Sequence, residues 1–218
     1  MIYSSERKLR LSGWLQENGS AEYEDSLKLQ KFLFFYEAFC KVNEEVYDFS
    51  HLRGFINGPV FSQVWGDYTK DRLEFNLEAK NTYEASGRNV NERIAKKCGF
   101  LVKTLTGREL SRLTHEMNIW NAKASRIRSG EYMVNLNVSD FNAHDEQMIK
   151  ILDSMYSDEL VNNSIVISVD KNSFVFPQSA TNKLKESHMD TMLELTENEN
   201  LHNPVFVDID EEGRLIVD

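Results

Sequence analysis

The amino-acid sequence predicts a mainly α-helical protein with a smaller α+β region at its C-terminal end. Up to about residue 130, apolar residues recur at intervals of three and four, which is the period of a helix that buries one face. Beyond that point, short runs of β-branched and aromatic residues alternate with turn residues, a pattern typical of strands and hairpins. We therefore expect a helical domain over residues 1–130 and an acidic α+β region over residues 131–218.

The first part of the chain contains two clear helical patterns. A short amphipathic helix is expected over residues 3–17, and the turn signal Asn18-Gly19 ends it. The segment 25–42 is far more apolar, and its side chains at helical spacing predict a central buried helix that Asp25 or Ser26 caps. Its predicted core positions are Leu29, Phe32, Leu33, Phe35, Tyr36, Phe39 and Cys40. The remaining arc, which we expect to face solvent, holds Lys28, Lys31, Glu37 and Lys41.

Three further boundaries can be assigned from local signals. Pro59 is expected at the start of a helix, where its missing N–H leaves no hydrogen bond unmade. Asn91 is expected to cap another helix, which Gly99 ends. Thr106 and Glu109 have the spacing of a capping box, in which each residue satisfies a free backbone donor of the other. A third helix is therefore predicted from Thr106 onwards.

The C-terminal region contains a strand pattern on each side of helical runs. Ser139-Asp140 precedes a helical pattern, and two segments further along are rich in β-branched residues. Residues 165–169 and 174–176 are expected to pair as a hairpin, as are residues 205–209 and 215–217. The region beyond residue 130 is therefore predicted to be α+β.

Charge is distributed unevenly along the chain. The net charge is −10, but residues 131–218 carry 5 Lys and Arg against 18 Asp and Glu, a balance of −13. Residues 88–128 instead hold ten basic residues against three acidic ones. This basic segment can bind nucleic acid, hold an acidic partner protein, or dock the acidic region of its own chain. The overall negative charge argues against nucleic acid as the main ligand.

Few features of the sequence indicate chemistry. The two cysteines, Cys40 and Cys98, have no CxxC pairing and are expected to be reduced thiols of a cytoplasmic protein. The sequence has no membrane-spanning run, phosphate-binding loop or nucleophile motif. Residues 1–10 lack the apolar centre of a signal peptide, so we do not expect export. His115 has no second ligand at metal-binding spacing, so we interpret it as a core residue. We expect a protein that is not an enzyme and needs no cofactor or metal.

Residues 29–36 read LQKFLFFY, residues 58–60 read GPV, and residues 109–115 read ELSRLTH with Trp120 shortly after. Together, in this order, these three segments resemble the Panacea family of prokaryotic and phage-associated proteins. Leu29–Tyr36 is similar to that family's KLQKLLYF helix, Gly58-Pro59-Val60 to its GPV segment, and 109–120 to its ELSxLTH segment and following Trp. The resemblance covers about residues 3–128, and it implies a Panacea-like helical domain. The matching residues, interpreted as mainly structural, are Leu29, Gln30, Lys31, Gly58, Pro59, Val60, Tyr68, Leu113, Thr114, His115 and Trp120.

The resemblance implies a protein-binding function. Members of the family are mostly antitoxins that neutralise a toxin by binding it, and one similar protein is an adaptor that delivers its toxin to a AAA+ protease. Recognition is then expected on the basic segment and the C-terminal region, with a toxin as the partner. A DNA-binding or prophage-encoded regulator is the alternative, and the oligomeric state stays open. The candidate partner-binding residues are Arg108, Arg112, Arg126 and Arg128.

Overall fold

The computed structural model describes residues 1–198 and 200–217, which form a mainly α-helical protein with two small β-sheets. This confirms the predicted class, mainly α with some β. Each described helix is too short or too polar to cross a lipid bilayer. The helices are α1 (Glu6–Asn18), α2 (Ser20–Glu24), α3 (Ser26–Val42), α4 (Ser62–Lys70), α5 (Arg72–Ala85), α6 (Glu92–Thr104), α7 (Gly107–Glu116), α8 (Asn118–Asn121), α9 (Ala124–Arg128), α10 (Ala143–Met155), α11 (Asp158–Asn162) and α12 (Glu186–Thr196). The strands are β1 (Leu52–Phe55), β2 (Gly58–Phe61), β3 (Val134–Asn135), β4 (Ser164–Val169), β5 (Asn172–Pro177), β6 (Val205–Ile209) and β7 (Leu215–Val217).

Helix α3 lies at the centre of the protein, as the sequence predicts. The Asp25 carboxylate caps it by accepting from the backbone N–H groups of Leu27 at 2.8 Å and Lys28 at 3.2 Å. All seven predicted core positions are buried. Helices α1, α6, α7 and α10 and strand β2 all contact α3. The prediction of a central buried helix is therefore confirmed.

Two charged residues of α3 contradict the sequence prediction. Lys31 and Glu37 are buried and do not lie on a solvated edge. The Glu37 carboxylate accepts from Arg7 Nε at 2.8 Å and Arg7 Nη2 at 2.9 Å, and it pairs with Lys8. It also accepts from the backbone N–H of Asp48 at 2.9 Å. A buried carboxylate needs partners of this kind, and here they come from α1 and the loop after α3.

The segment around Pro59 is a strand, which corrects the predicted helix start. Strands β1 and β2 form an antiparallel hairpin with Gly54 opposite Pro59, and β3 pairs with the other side of β1. Strand β2 is therefore an edge strand, where a residue without an N–H is tolerated. The same missing N–H suits a helix start, so the sequence did not distinguish the two. Helix α4 begins at Ser62.

Helix α6 continues through Gly99, which corrects its predicted end. The helix begins as expected, with the Asn91 side chain accepting from the Ile94 N–H at 3.2 Å, but it extends to Thr104. A Cβ at Gly99 would lie 3.3 Å from the Trp14 ring. The glycine therefore permits close packing between α1 and α6 and does not end the helix.

Helix α7 has the predicted capping box. Thr106 Oγ1 accepts from the Glu109 N–H at 3.3 Å, and the Glu109 carboxylate accepts from the Thr106 N–H at 2.7 Å. Helix α10 begins slightly later than the sequence suggests, because Asn142 provides the cap by accepting from the His144 N–H at 3.0 Å.

The C-terminal region contains a four-stranded sheet in the order β4-β5-β6-β7. The β4–β5 and β6–β7 pairs are antiparallel, which confirms both predicted hairpins. Strand β5 pairs with β6 in parallel. The sheet therefore joins two hairpins along one parallel seam.

The buried apolar residues form two clusters. The main cluster surrounds α3 and includes Val134, Phe141 and Ile149 from beyond residue 130. The second cluster lies within the four-stranded sheet and its neighbouring α12, and it includes Phe174 and Met192. The division into domains at residue 130, which concerns independent folding, stays a prediction.

Candidate functional site

The three segments that carry the family resemblance meet at the turn between β1 and β2. We call this set of contacts the turn clamp; it consists of Lys31, Thr114, His115 and Trp120 around residues 55–58. Lys31 Nζ donates to the backbone carbonyl of Asn57 at 2.6 Å, and Ser111 Oγ donates to the same oxygen at 3.0 Å. Trp120 Nε1 donates to the carbonyl of Phe55 at 3.0 Å. Helices α3, α7 and α8 therefore fix one hairpin turn from three directions.

Lys31 is the most unusual residue of the turn clamp, because its amine is buried without a carboxylate partner among the described residues. Its side chain is 1% exposed, and Nζ donates to Thr114 Oγ1 at 2.8 Å in addition to Asn57. Burial lowers the pKa of Lys31 from 10.5 to about 7. The two acceptors match the two N–H bonds of a neutral amine, so the site favours the uncharged form.

Gly58 is required by the geometry of the turn clamp. Its φ is +110°, in a region that residues with a Cβ rarely adopt. A Cβ built there would overlap Lys31 Nζ and would lie 2.5 Å from Thr114 Oγ1. The glycine therefore lets the lysine amine approach the hairpin backbone.

His115 packs against Trp120, with ring centroids 3.9 Å apart and an angle of 21° between the rings. Burial lowers the pKa of His115, and nearby Lys31, when it is protonated, and Arg128 lower it further. Its Nε2 is buried and has no hydrogen-bond partner in the described part of the chain. These surroundings favour a neutral, stacked imidazole over a metal ligand or base.

The other motif residues occupy supporting positions. Leu29 is in the main cluster, and Gln30 Oε1 accepts from the Phe61 N–H at 2.8 Å. Tyr68 donates its hydroxyl to the carbonyl of Tyr23 at 2.8 Å. Pro59 is buried and Val60 is half-buried on β2, while Leu113 is half-buried on α7. The motif residues thus support packing and the hairpin.

Part of the basic segment is docked on the acidic C-terminal region. Lys97 pairs with Asp153, and its Nζ lies 3.4 Å from Oδ1 of Asp158. The other carboxylate oxygen of Asp158, Oδ2, accepts from Arg93 Nε at 2.9 Å. These contacts connect α6 to α10 and α11. These two cations therefore dock on acidic residues of the same chain. This is one of the three alternatives that the sequence left open for the basic segment.

The four candidate arginines lie on two helices. Arg108 and Arg112 are exposed on α7, one turn apart. On α9, Arg126 Nε donates to Glu131 at 2.7 Å, and the exposed Arg128 guanidinium lies 5.4 Å from the Trp120 ring centre. Arg108 and Arg112 belong to no ion pair among the described residues. Their role in partner binding stays a prediction.

An apolar groove lies between α7 and α10, and sequence reasoning did not find it. Its volume is about 570 Å³, and residues 202–204 also line it. Ile151 and Met155 are 48% and 60% exposed at its edge. We call this feature the α7–α10 groove; its apolar lining consists of Leu105, Leu113, Met148, Ile151, Leu152, Met155, Tyr156 and Pro204. The apolar spacing of α10 was visible in the sequence, but the groove depends on which helix packs beside it.

Comparison with known proteins identifies no relative. No family model, curated protein or solved structure matches this chain. The Panacea resemblance therefore rests on the three segments and their order. Among residues 1–198 and 200–217, no three His, Cys, Asp or Glu side chains are grouped to hold a metal ion.

Proposed function

We propose that this chain is a non-enzymatic, Panacea-like antitoxin that acts in the cytoplasm by binding a partner toxin directly. The convergence of all three resembling segments on the turn clamp supports a shared scaffold. In that role Lys31, Gly58 and Trp120 hold the fold, and recognition belongs to the surface. Delivery of the bound toxin to a AAA+ protease is compatible with the same binding step.

The observation that carries this proposal is the α7–α10 groove. It is open, apolar and bordered by two exposed side chains, Ile151 and Met155, as expected for a groove that receives the apolar face of a partner helix. Methionine adapts its shape easily, so Met148 and Met155 can fit partners of different sequence. We therefore assign an amphipathic helix of the toxin as the occupant.

Charges beside the groove supply orientation. Arg112 and Glu116 lie on the α7 side, and α10 belongs to the acidic region. Glu109 also lines the groove, but it already accepts from Thr106 and Asn203. A helix with a basic polar face would be attracted to this region, and the association rate would fall with added salt.

A DNA-binding regulator is the alternative function. The basic segment favours it, but Arg93, Lys97, Lys123 and Arg126 already pair with carboxylates of the same chain. These cations are less available for phosphates. A salt-dependent shift of the promoter DNA of its own operon by the purified protein would favour this alternative.

The test is co-expression with the neighbouring gene, followed by affinity purification and a growth assay. Ile151→Glu should weaken binding of the toxin at least about tenfold, because an apolar contact of about 1.5–3 kcal/mol is replaced by a charge. Leu73→Glu is the matched control, since Leu73 is 86% exposed on α5 and lies outside the groove. Equal neutralisation by both variants would exclude the groove as the toxin site.

A second comparison separates the groove from the candidate arginines. The candidate arginines would attract an acidic patch of the toxin beside its basic helix. The combined change of Arg108, Arg112, Arg126 and Arg128 to Gln should therefore slow association while leaving the fold intact. Substitutions are preferable to truncation after residue 130, because Phe141 and Ile149 belong to the main cluster. Wild-type neutralisation by both this variant and Ile151→Glu would contradict the proposed binding surface altogether.

A further inference from the structure

Strand β4 is an open edge of the four-stranded sheet. In the described part of the chain it pairs with β5 alone, through an uninterrupted register from Ser164↔Pro177 to Val169↔Asn172. Its sequence, SIVISV, contains no proline and no charge, and its register has no bulge. Proline, charged side chains and bulges are the features by which natural proteins usually protect an exposed strand edge, and β4 has none of them. The edge is therefore able to pair with another strand.

The hydrogen-bonding groups of β4 alternate between β5 and the open side. Val169 and Asn172 flank a two-residue turn, so they form a hydrogen-bonded pair, and every second residue along β4 bonds to β5 in the same way. Ser173, the neighbour of Asn172, donates its N–H to Asn203 instead, as this alternation requires. Ser164, Val166 and Ser168 consequently direct their backbone N–H and C=O groups outward. None of them makes another backbone hydrogen bond within the described residues.

The outward edge is complementary to itself. Residues 164–168 read Ser-Ile-Val-Ile-Ser, which is the same in both directions. In an antiparallel pair centred on Val166, serine lies opposite serine and Ile165 lies opposite Ile167 of the second copy. Each of the three outward residues then forms a hydrogen-bonded pair with two bonds. Asn162 lies opposite Asp170, so the flanking residues bring no like charges together.

An open cavity lies beside the first half of β4. A cavity of about 440 Å³ runs along Ser164, Ile165 and Val166, bounded by Phe100 of α6 and by the end of α1. The residues of β4 are half-buried except the exposed Ser168, whereas β5 is almost entirely buried. The apolar side chains of β4 would therefore lose further exposure if a strand were added.

We propose that β4 is the interface of a symmetric homodimer, in which the β4 strands of two copies pair antiparallel about Val166. The two sheets become one continuous sheet across a twofold axis, and the same patch is used by both copies. The paired apolar side chains on each face add packing to the backbone bonds. The dimer forms independently of any partner in the α7–α10 groove.

The test begins with the molar mass in solution, measured by light scattering over a range of concentrations. We expect twice the chain mass of 25.3 kDa, falling to one chain mass on dilution. Ser168→Pro removes an outward N–H without removing a bond to β5, and should weaken the dimer at least about tenfold. Ser168→Thr keeps that N–H and should dimerise like the wild type. Monomers at every soluble concentration, or equal dimerisation of all three proteins, would overturn the proposal.

Disulfide trapping provides a measurement that does not depend on the proline variant folding. In the proposed dimer the two Val166 Cα atoms are about 5.5 Å apart, within the range that a disulfide spans. Val166→Cys should therefore form a covalent dimer under mild oxidation, whereas Leu73→Cys on α5 should not. The native thiols Cys40 and Cys98 are buried and serve as an internal control. Failure of Val166→Cys to cross-link, or dimerisation that requires an added partner protein, would contradict self-pairing of β4.

Discussion

Replacing Lys31 by methionine should change how the stability of the protein depends on pH. In the folded state burial lowers the pKa of Lys31 to about 7, whereas its ordinary value is 10.5. Between these values the unfolded chain binds a proton that the folded protein does not, so the free energy of unfolding rises with pH. The slope approaches about 1.4 kcal/mol per pH unit. Between pH 7.5 and 9.5 the wild type should therefore gain roughly 2–3 kcal/mol of stability relative to Lys31→Met.

Urea unfolding at several pH values measures this difference directly. The loss of the hydrogen bonds to Asn57 and Thr114 lowers the free energy of unfolding of the variant by about 1–2 kcal/mol, and this amount does not depend on pH. The chosen pH range avoids His115, whose lowered pKa keeps it neutral throughout. Lys28→Met, at the half-buried edge of the same helix, is the control and should follow the wild-type curve. If the free energies of unfolding of wild type and Lys31→Met changed with pH in parallel, the conclusion that the Lys31 amine is buried and largely uncharged would be refuted.

The remaining predictions concern packing and metal content. Leu33→Asp should unfold the protein, because an unpaired core charge costs several kcal/mol and the free energy of unfolding of a typical protein is only about 5–15 kcal/mol. Native helicity with unchanged melting by circular dichroism would contradict the central position of α3. Gly58→Ala should cost about 2 kcal/mol or more, because its Cβ would overlap Lys31 Nζ. Gly66→Ala, with open space in α4, should stabilise by up to about 1 kcal/mol, and equal melting of both variants would disprove the steric argument. Elemental analysis should find no stoichiometric metal; zinc or iron whose removal unfolds the protein would show the opposite.

Local signals predicted much of the fold. The Asp25 cap, the Thr106–Glu109 capping box and the hairpins of the C-terminal sheet all depend on residues within a few positions of one another. Such patterns determine where a helix begins or where two strands turn. The structure has these elements where the sequence placed them.

The errors occur where distant residues decide the environment. Lys31 and Glu37 have the spacing of a solvated edge, but their partners lie on the β1–β2 turn, α7, α1 and a loop. Pro59 suits both an edge strand and a helix start, and the pairing with β1 decides between them. Gly99 lies within a helix, where its missing side chain lets Trp14 of α1 pack closely. The α7–α10 groove likewise lies between two helices that are separate in sequence.

Strand β5 divides its side chains between the two apolar clusters. Val175 packs into the main cluster, whereas Phe174 and Phe176 belong to the second. Local opening of the C-terminal sheet would thus expose fully buried residues of both clusters at β5. At β6 the fully buried residues, such as Val207 and Ile209, belong to the smaller cluster, and Phe206 is only partly buried against the main one. Amide hydrogen exchange reports the free energy of such openings. We therefore expect the slowest-exchanging amides of the C-terminal region to lie in β5, with exchange accelerating outward through β6 to β7.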